Sequence, residues 1–531
     1  MKKILLLGDE ALAQGAIDAG ISGFFGYPGT PSTEIIEYVQ KNKVAIEKDI
    51  HRTWASNEKT AMEEAVGMSY AGKRTMATMK HVGLNVAADP FMNSAMTGAN
   101  GGLLVAVADD PSMHSSQNEQ DSRVFANFAL IPCIEPSNQQ ECYEAGFYGF
   151  ELSEKFKLPV MVRLETRLSH SRAGVVTKEM QAENKLTFPD DPNQFMLLPA
   201  FSRMKYDKLV PLQAQLEKAS EESPFNKYVD GSDKSLGIIA CGLGYNYLME
   251  NVRKVDFKHP ILKVSQYPLP RKQVEKIMNE CDQVLVIEEG MPVVEQQLKG
   301  FVSGNTKIKG RLDGSLPRVG ELNPNHVAKA LGLPNTFGQE KPAFIANRPP
   351  ALCVGCPHID SYKAINEALK ETPDGRVFSD IGCYTLGFLP PYNAINTCLD
   401  MGASITMAKG ASDAGIHPAI AVIGDSTFFH SGLTGLMDCV FDKNNLVVVI
   451  LDNSTTGMTG GQDYTGFGRI EAVCKGLGVE EEHIRVITPL PKQHEENVQV
   501  FLEEIAYNGV SVIIPRRECV QTLKKKLRSR R

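Results

Sequence analysis

Two side chains at the ends of neighbouring apolar runs carry the most visible chemistry. Asp425 follows Ala419-Ile420-Ala421-Val422-Ile423-Gly424, and Asn453 follows Leu446-Val447-Val448-Val449-Ile450-Leu451-Asp452. Asp offers a hard carboxylate oxygen and Asn a hard amide oxygen. Mg²⁺ prefers such donors when it shares its shell with phosphates. Gly424 and Ser426 flank Asp425 and leave room for a diphosphate. The plainer alternative is an ordinary strand–helix unit with Asp425 as a helix cap. Cysteines are the second chemical signal. Cys353-Val354-Gly355-Cys356 is a close-spaced pair, followed by Cys383 and, late in the chain, Cys519. With His358 or Cys383 the pair suits zinc, and reduced thiols without metal are a further reading. Cys133, Cys142, Cys241, Cys281, Cys398, Cys439 and Cys474 lie in apolar or helical contexts and read as small buried residues.

The elements that must position these groups are short apolar runs alternating with helix-length segments. The runs fall at 102–108, 158–162, 236–240, 283–287, 419–423 and 446–450. Near-continuous apolar strands alternating with helices predict parallel sheets covered on both faces. Phe428 to Lys443 reads as the helix between the last two runs. A right-handed crossover places Asp425 and Asn453 at the same carboxyl edge, where ligands of open α/β sheets bind. Ile4 to Leu7 reads as a first buried strand.

Composition narrows the class. The chain has 531 residues, 42% apolar and 22% charged, with 56 basic and 63 acidic side chains and a formal charge of −7. That argues for several domains and against a nucleic-acid partner, which usually meets a basic face. No apolar run is long enough to span a bilayer. Gly8-Asp9-Glu10 interrupts the N-terminal apolar run too early for a signal peptide, so a cytoplasmic protein is expected. Polar residues 178–235 and the Pro- and Gly-bearing stretch 333–350, ending in Arg348-Pro349-Pro350, divide the chain. The domains read as 1–190, 235–330 and 351–531, with linkers at 191–234 and 331–350. The basic tail from Lys524 to Arg531 reads as a solvated helix end.

Gly424-Asp425-Ser426 with Asn453 resembles the thiamine diphosphate motif, in which a main-chain carbonyl two residues past the Asn, here Thr455, completes the metal's protein ligands. Ser56-Asn57-Glu58 and the Ala- and Gly-bearing helix after it resemble the thiamine-activating segment. That resemblance places the carboxylate beside the aminopyrimidine ring nitrogen at Glu58, with Glu63 and Glu64 as rivals. Gly26-Tyr27-Pro28-Gly29-Thr30-Pro31-Ser32 is similar to a loop of the 2-oxoacid:ferredoxin oxidoreductases. Thr78-Met79-Lys80-His81-Val82-Gly83-Leu84-Asn85, Ser115-Ser116-Gln117-Asn118-Glu119-Gln120-Asp121-Ser122-Arg123, Tyr267-Pro268-Leu269-Pro270 and Ile287-Glu288-Glu289 extend the likeness over nearly the whole chain. The resemblance is strongest to the indolepyruvate-type alpha subunits of that family.

The family likeness implies an α/β fold of three doubly wound, mainly parallel-sheet domains: pyrimidine-binding, transketolase C-terminal-like and diphosphate-binding. It implies oxidative decarboxylation of an aryl, indolepyruvate-like 2-oxo acid to its acyl-CoA. Thiamine diphosphate and Mg²⁺ are the implied cofactors, with Asp425, Asn453 and Thr455 on the metal. Gly424, Ser426, Gly402, Cys383 and Tyr384 join them in cofactor binding. Glu58, Thr30 and Arg123 are the implied catalytic residues. Arg123 would pair with the substrate carboxylate through its planar fork, although a surface ion pair is an equal reading. His81 and His430 are further substrate contacts or structural histidines. Cys353, Cys356, Cys383 and Cys519 match the positions that hold a [4Fe–4S] cluster in related oxidoreductases, with Val354 where the family usually has Pro. No Cys-x2-Cys-x2-Cys-x3-Cys run is present, so electrons are expected to leave through this cluster or a partner to ferredoxin. A gamma-type (beta) subunit and a homodimer or α2β2 assembly are expected. Two other readings stay open: a non-oxidative thiamine-dependent decarboxylase, and a catalytically silent subunit with the same fold.

Overall fold

The computed structural model describes residues 3–191, 193–253, 255–301, 307–334, 342–346 and 350–529. Arg348 and Pro349 of the expected second linker, and Arg530 and Arg531 of the basic tail, lie outside them. The chain divides into two compact units, Met1–Glu340 and Lys341–Arg531. Both are α/β, and their main sheets are mainly parallel.

The first unit is built on a seven-stranded sheet. Its spatial order is Gln266–Tyr267, Cys133–Ile134, Val160–Glu165, Leu103–Asp109, Thr75–Lys80, Gly23–Gly26 and His51–Trp54. Every neighbouring pair is parallel except the first. Thr75–Lys80 and Leu103–Asp109 are buried along their whole length, which is why their side chains do not alternate in polarity. Helix Gly8–Asp18 crosses helix Gln139–Phe156 at Gly15 and Gly146. A Cβ on Gly15 would lie 2.0 Å from the Tyr143 carbonyl oxygen, so only glycine allows this approach. A second sheet in the same unit runs Lys307–Lys309, Gln283–Ile287, Gly237–Cys241, Ile261–Val264 and Lys227–Val229, antiparallel only at its last pair. Gln266–Tyr267 pairs with Cys133–Ile134, so the segments read as the first and middle domains share one sheet.

The second unit holds five parallel strands in the order Arg376–Ser379, Ala419–Gly424, Leu446–Leu451, Val510–Pro515 and Ile484–Ile487. Ile420, Val422, Val447, Val449 and Ile513 pack on one face, and Ala421, Ile423, Val448, Ile450, Val512 and Ile514 on the other.

Two expectations change. Ile4–Leu7 is not a buried strand. Lys3–Leu7 forms an antiparallel ribbon with Arg172–Val176, and Leu5 is 63% exposed. The segment 191–234 contains a 23-residue helix, Pro199–Glu221. Only Leu209, Leu216, Ala219 and Ser220 of it are buried, too few to print a clear period on the sequence. Among the described residues, no helix is long and apolar enough to cross a membrane.

Candidate functional site

Asp425 and Asn453 both follow strands of the second unit at one carboxyl edge. Asp425 opens a short α turn, Asp425–Thr427. A π turn follows at Phe428–Gly432, then a helix at Leu433–Phe441. The expected single helix is therefore interrupted, and π turns gather at functional sites. His430 lies in this π turn, its Nδ1 2.5 Å from the Ser431 hydroxyl. Asp425 is 2% exposed. Its Oδ1 accepts the Ser426 N–H at 2.9 Å, while Oδ2 has no hydrogen-bond partner. Burial, reinforced by the nearby Asp452, holds its carboxyl well above the usual range. A carboxylate buried without a cation keeps its proton, and a bound cation reverses that preference.

The Asn453 loop folds back over this position. The Thr456 hydroxyl donates to Ser426 Oγ at 3.0 Å, and Asn453 Oδ1 accepts the Thr455 N–H at 3.2 Å. Asn453 Nδ2 donates to His358 Nε2 at 3.3 Å. Burial, with Arg517 nearby, pushes His358 down to about 4, so its ring is neutral and can accept.

Asp380, not singled out in the sequence, organises the neighbouring loops. It follows the strand Arg376–Ser379 and is fully buried. Its Oδ2 accepts the N–H groups of Gly402 at 3.2 Å and Ser404 at 3.1 Å, and the Ser404 hydroxyl at 2.6 Å. The Tyr384 hydroxyl donates to Oδ1. Burial raises Asp380 to about 6. Gly402 has φ +95°, and a Cβ there would lie 2.6 Å from Ser431 Cβ. A Cβ on Gly424 would lie 2.6 Å from the Tyr384 ring. Gly424, Gly402 and Tyr384 are thus drawn together around Asp380. Asp380 follows a strand just as Asp425 does, but Arg376-Val377-Phe378-Ser379 is only four residues long and half polar, so it leaves no apolar run in the sequence.

The four singled-out cysteines gather at the same edge. Cys519 N–H donates to the Asn453 carbonyl at 3.0 Å, and Cys383 Sγ lies 3.4 Å from His358 Nε2. Gln521 Nε2 donates to Cys353 Sγ at 3.2 Å. Burial pushes the Cys383 thiol up to about 12, with Cys356, Cys519, Asp425 and Cys353 adding to it. The Cys356 thiol rises to about 11, with Cys353 and Cys519 contributing after burial. Among the described residues, no three of these sulfurs lie within 4.8 Å of one another. Zinc bonds of about 2.3 Å need tighter grouping, whereas the thiolates of an iron–sulfur cluster sit on separate irons. Of the remaining cysteines six are buried, and Cys398 is exposed, contrary to expectation.

The first unit holds the other candidates. Glu58 begins helix Glu58–Tyr70, capped by the Asn57 side chain on the Thr60 N–H at 2.8 Å. It is 4% exposed. A Cβ on Gly83 would lie 2.5 Å from Glu58 Oε1, so glycine there makes room for the carboxylate. Glu63 and Glu64 are exposed, and Glu63 pairs with Lys59. The Thr30 carbonyl accepts the Ser115 hydroxyl at 3.2 Å. His81 Nε2 lies 3.1 Å from the Asn118 carbonyl.

Arg123 edges a small cavity, but its donors are taken up by internal partners. It is 2% exposed and forks onto Asp121, with Nε to Oδ1 at 2.9 Å and Nη2 to Oδ2 at 2.6 Å. Nη1 lies 3.1 Å from Glu288 and donates to the Tyr267 hydroxyl at 3.2 Å. Nη2 also reaches the Glu289 and Met291 carbonyls. Arg163 sits beside it, fully buried, on Asp109, Glu135 and Glu165. We therefore replace the expected substrate contact at Arg123 with a structural ion network. Asp121 is a local partner, two residues away, but the others come from residue 267 and residues 288–291, which no local spacing could reveal.

Two family profiles match the chain. Residues 14–208 match the pyruvate flavodoxin/ferredoxin oxidoreductase thiamine diphosphate-binding family. Residues 380–514 match the C-terminal TPP-binding domain of thiamine pyrophosphate enzymes. Among curated proteins, the indolepyruvate oxidoreductase subunit IorA of Archaeoglobus fulgidus is 40% identical, over 98% of this chain and 86% of its own length. The IorA subunit of Methanothermobacter thermautotrophicus is 39% identical over 98% and 87%. A solved 2-oxoglutarate:ferredoxin oxidoreductase from Magnetococcus marinus, with 2-oxoglutarate, coenzyme A and succinyl-CoA bound, shares the fold. Its TM-score is 0.52 at 17% identity, covering 62% of this chain and 65% of that one.

Proposed function

The chain belongs to the indolepyruvate oxidoreductase IorA family of thiamine diphosphate-dependent 2-oxoacid:ferredoxin oxidoreductases, and we propose that it converts an aryl 2-oxo acid to its acyl-CoA. The observation that carries this reading is the buried Asp425 carboxylate with an unpartnered oxygen, beside Asn453 at a carboxyl sheet edge. Asp425, Asn453 and the Thr455 carbonyl would hold Mg²⁺. Gly424, Ser426, Gly402, Cys383 and Tyr384 would line the diphosphate. We assign residues 1–190 to the pyrimidine end and 351–531 to the diphosphate end.

When bound, thiamine diphosphate supplies a nucleophilic carbon for the keto group and a sink for the electrons left as CO₂ departs. The protein's own contributions are positional and acid–base. Glu58 would hold and release a proton at the aminopyrimidine ring nitrogen, and its burial excludes water from that exchange. The neutral His358 ring commits the Asn453 amide nitrogen, and the lone pair of its oxygen not taken by the Thr455 N–H would face the metal. Asp380 fixes Gly402 and Tyr384 through its hydrogen bonds. Thr30 would face the substrate's carbonyl and carboxylate. Cys353, Cys356, Cys383 and Cys519 would hold one [4Fe–4S] cluster, a one-electron relay toward ferredoxin.

The relatives are named as subunits, which supports a gamma-type (beta) partner and a homodimer or α2β2 assembly. The solved neighbour's coenzyme A supports an acyl-CoA product. We further propose a cytoplasmic enzyme, and its net charge of −7 does not favour a nucleic-acid partner. The test is anaerobic turnover of indolepyruvate by the co-purified complex, with coenzyme A and ferredoxin, alongside iron analysis. Acyl-CoA and about four irons per chain are expected for one cluster. Aldehyde as the sole product would instead support the non-oxidative decarboxylase.

A further inference from the structure

Lys80 ends the interior strand Thr75–Lys80 of the first unit and carries a cation that is 9% exposed. Its ammonium has three donors. One goes to the Ser115 carbonyl at 3.0 Å, and among the described residues no carboxylate comes within 4.0 Å to pair with it. The acids acting on it electrostatically are Asp110 and Glu58. Asp110 is already engaged: Oδ2 accepts the Ser115 N–H and the Ser116 hydroxyl, each at 2.8 Å, and Oδ1 accepts the Thr166 hydroxyl at 2.7 Å. A buried ammonium with no carboxylate in direct contact keeps donors to spare, which an anion arriving from outside can take. Burial lowers Lys80 only to about 8, which leaves it charged at neutral pH.

Its surroundings say which anion. A Cβ on Gly29 would lie 3.1 Å from Lys80 Cδ, so the loop entering Thr30 rests on the lysine stem. The Ser115 residue that accepts from Lys80 also donates to the Thr30 carbonyl. Glu58, assigned to the cofactor ring, acts on the same ammonium. One cation is thus tied to both that residue and, through Ser115, to Thr30, the residue assigned to the substrate. Arg123, by contrast, is saturated by internal partners.

We propose that the Lys80 ammonium binds the carboxylate of the 2-oxo acid, the role expected of Arg123. The proposal rests on the 2-oxo acid reading above and adds to it the residue that selects an acid over a neutral ketone. A point-charge ammonium with donors to spare suits a single carboxylate and rejects an amide of the same shape.

The test uses the co-purified complex loaded with thiamine diphosphate and Mg²⁺, as wild type, Lys80→Gln and Lys80→Arg. Calorimetry with phenylacetate and with phenylacetamide, two unreactive probes, reads carboxylate recognition without turnover. The wild type should favour phenylacetate. Lys80→Gln should weaken phenylacetate about 10- to 100-fold, the loss of a charged hydrogen bond, and abolish the preference. Lys80→Arg should recover part of it. With indolepyruvate, Lys80→Gln should raise KM by a similar factor more than it lowers kcat. Cofactor affinity, measured on the same variants, should stay at the wild-type value and shows that the variant is folded. Unchanged phenylacetate affinity and KM in a cofactor-binding Lys80→Gln would overturn the proposal, as would a wild type that does not distinguish the two probes. If the wild type distinguishes them yet turns over no 2-oxo acid, the carboxylate site stands and the proposed reaction fails.

Discussion

Buried acids behave in opposite ways in the two units. In the first, Asp109, Asp121, Glu135 and Glu165 surround Arg163 and Arg123, every guanidinium edge engaged. In the second, Asp425 is just as deeply buried, yet no basic side chain among the described residues pairs with it. Asp452 next to it pairs with Arg516, at 2.6 Å, while Asp425 has no basic side chain within ion-pairing distance among the described residues. A buried charge matched internally is costly to strand, whereas one left unmatched either stays neutral, as an acid can by keeping its proton, or is satisfied by a ligand of opposite charge. Lys80 is the cationic counterpart of Asp425.

The largest effect should come from removing a matched charge. Arg163→Met should strand Asp109, Glu135 and Glu165 and destabilise the protein by about 3–5 kcal/mol, read as an early denaturant midpoint. A near-normal midpoint would undo the contrast between matched and unmatched acids. Next in size, Glu58→Gln should lower kcat about 100-fold or more with cofactor affinity kept. Equal activity would move the acid–base role elsewhere.

Asp9 adds a finer case, being a buried acid in the first unit with neither oxygen hydrogen-bonded. Burial pushes it up to about 8. Between the ordinary carboxylate range and that value, the folded state holds a proton that the unfolded chain has released. Stability from this group therefore falls as pH rises across that window. Asp9→Asn, which cannot ionise, should gain on the wild type by up to about 1.4 kcal/mol per pH unit from about pH 5 to 8 in thermal melts. A pH-independent difference would contradict the assigned protonation. The smallest effect belongs to the rival of Glu58: exposed Glu64→Gln should leave kcat and KM within about twofold, since surface changes rarely matter.

Strands were legible in the sequence where both faces are buried, as at 283–287, 419–423 and 446–450, because a fully apolar run of that length suits a covered parallel sheet. The diphosphate edge was legible for the same reason, since Asp425 and Asn453 follow such runs. The ribbon at Lys3–Leu7 was misread because an apolar edge strand looks like a core strand until its partner is known. Thr75–Lys80 was hidden by its threonines and lysine, although every residue in it is buried. Arg123 was misplaced because Tyr267 and Glu288, which close its environment beside Asp121, lie more than a hundred residues away. The same distance effect concealed Lys80, whose significance lies in the counter-ion it lacks among the described residues.

The most direct measurement is calorimetric titration of Mg²⁺ and thiamine diphosphate into the co-purified complex, wild type against Asp425→Asn, with apo stability recorded on both. Asp425→Asn should weaken cofactor binding about 100-fold through loss of a charged metal ligand, yet leave the apo protein as stable or about 1 kcal/mol more so. Wild-type cofactor affinity in Asp425→Asn, or an apo protein destabilised as severely as Arg163→Met, would contradict the division between matched and unmatched charges.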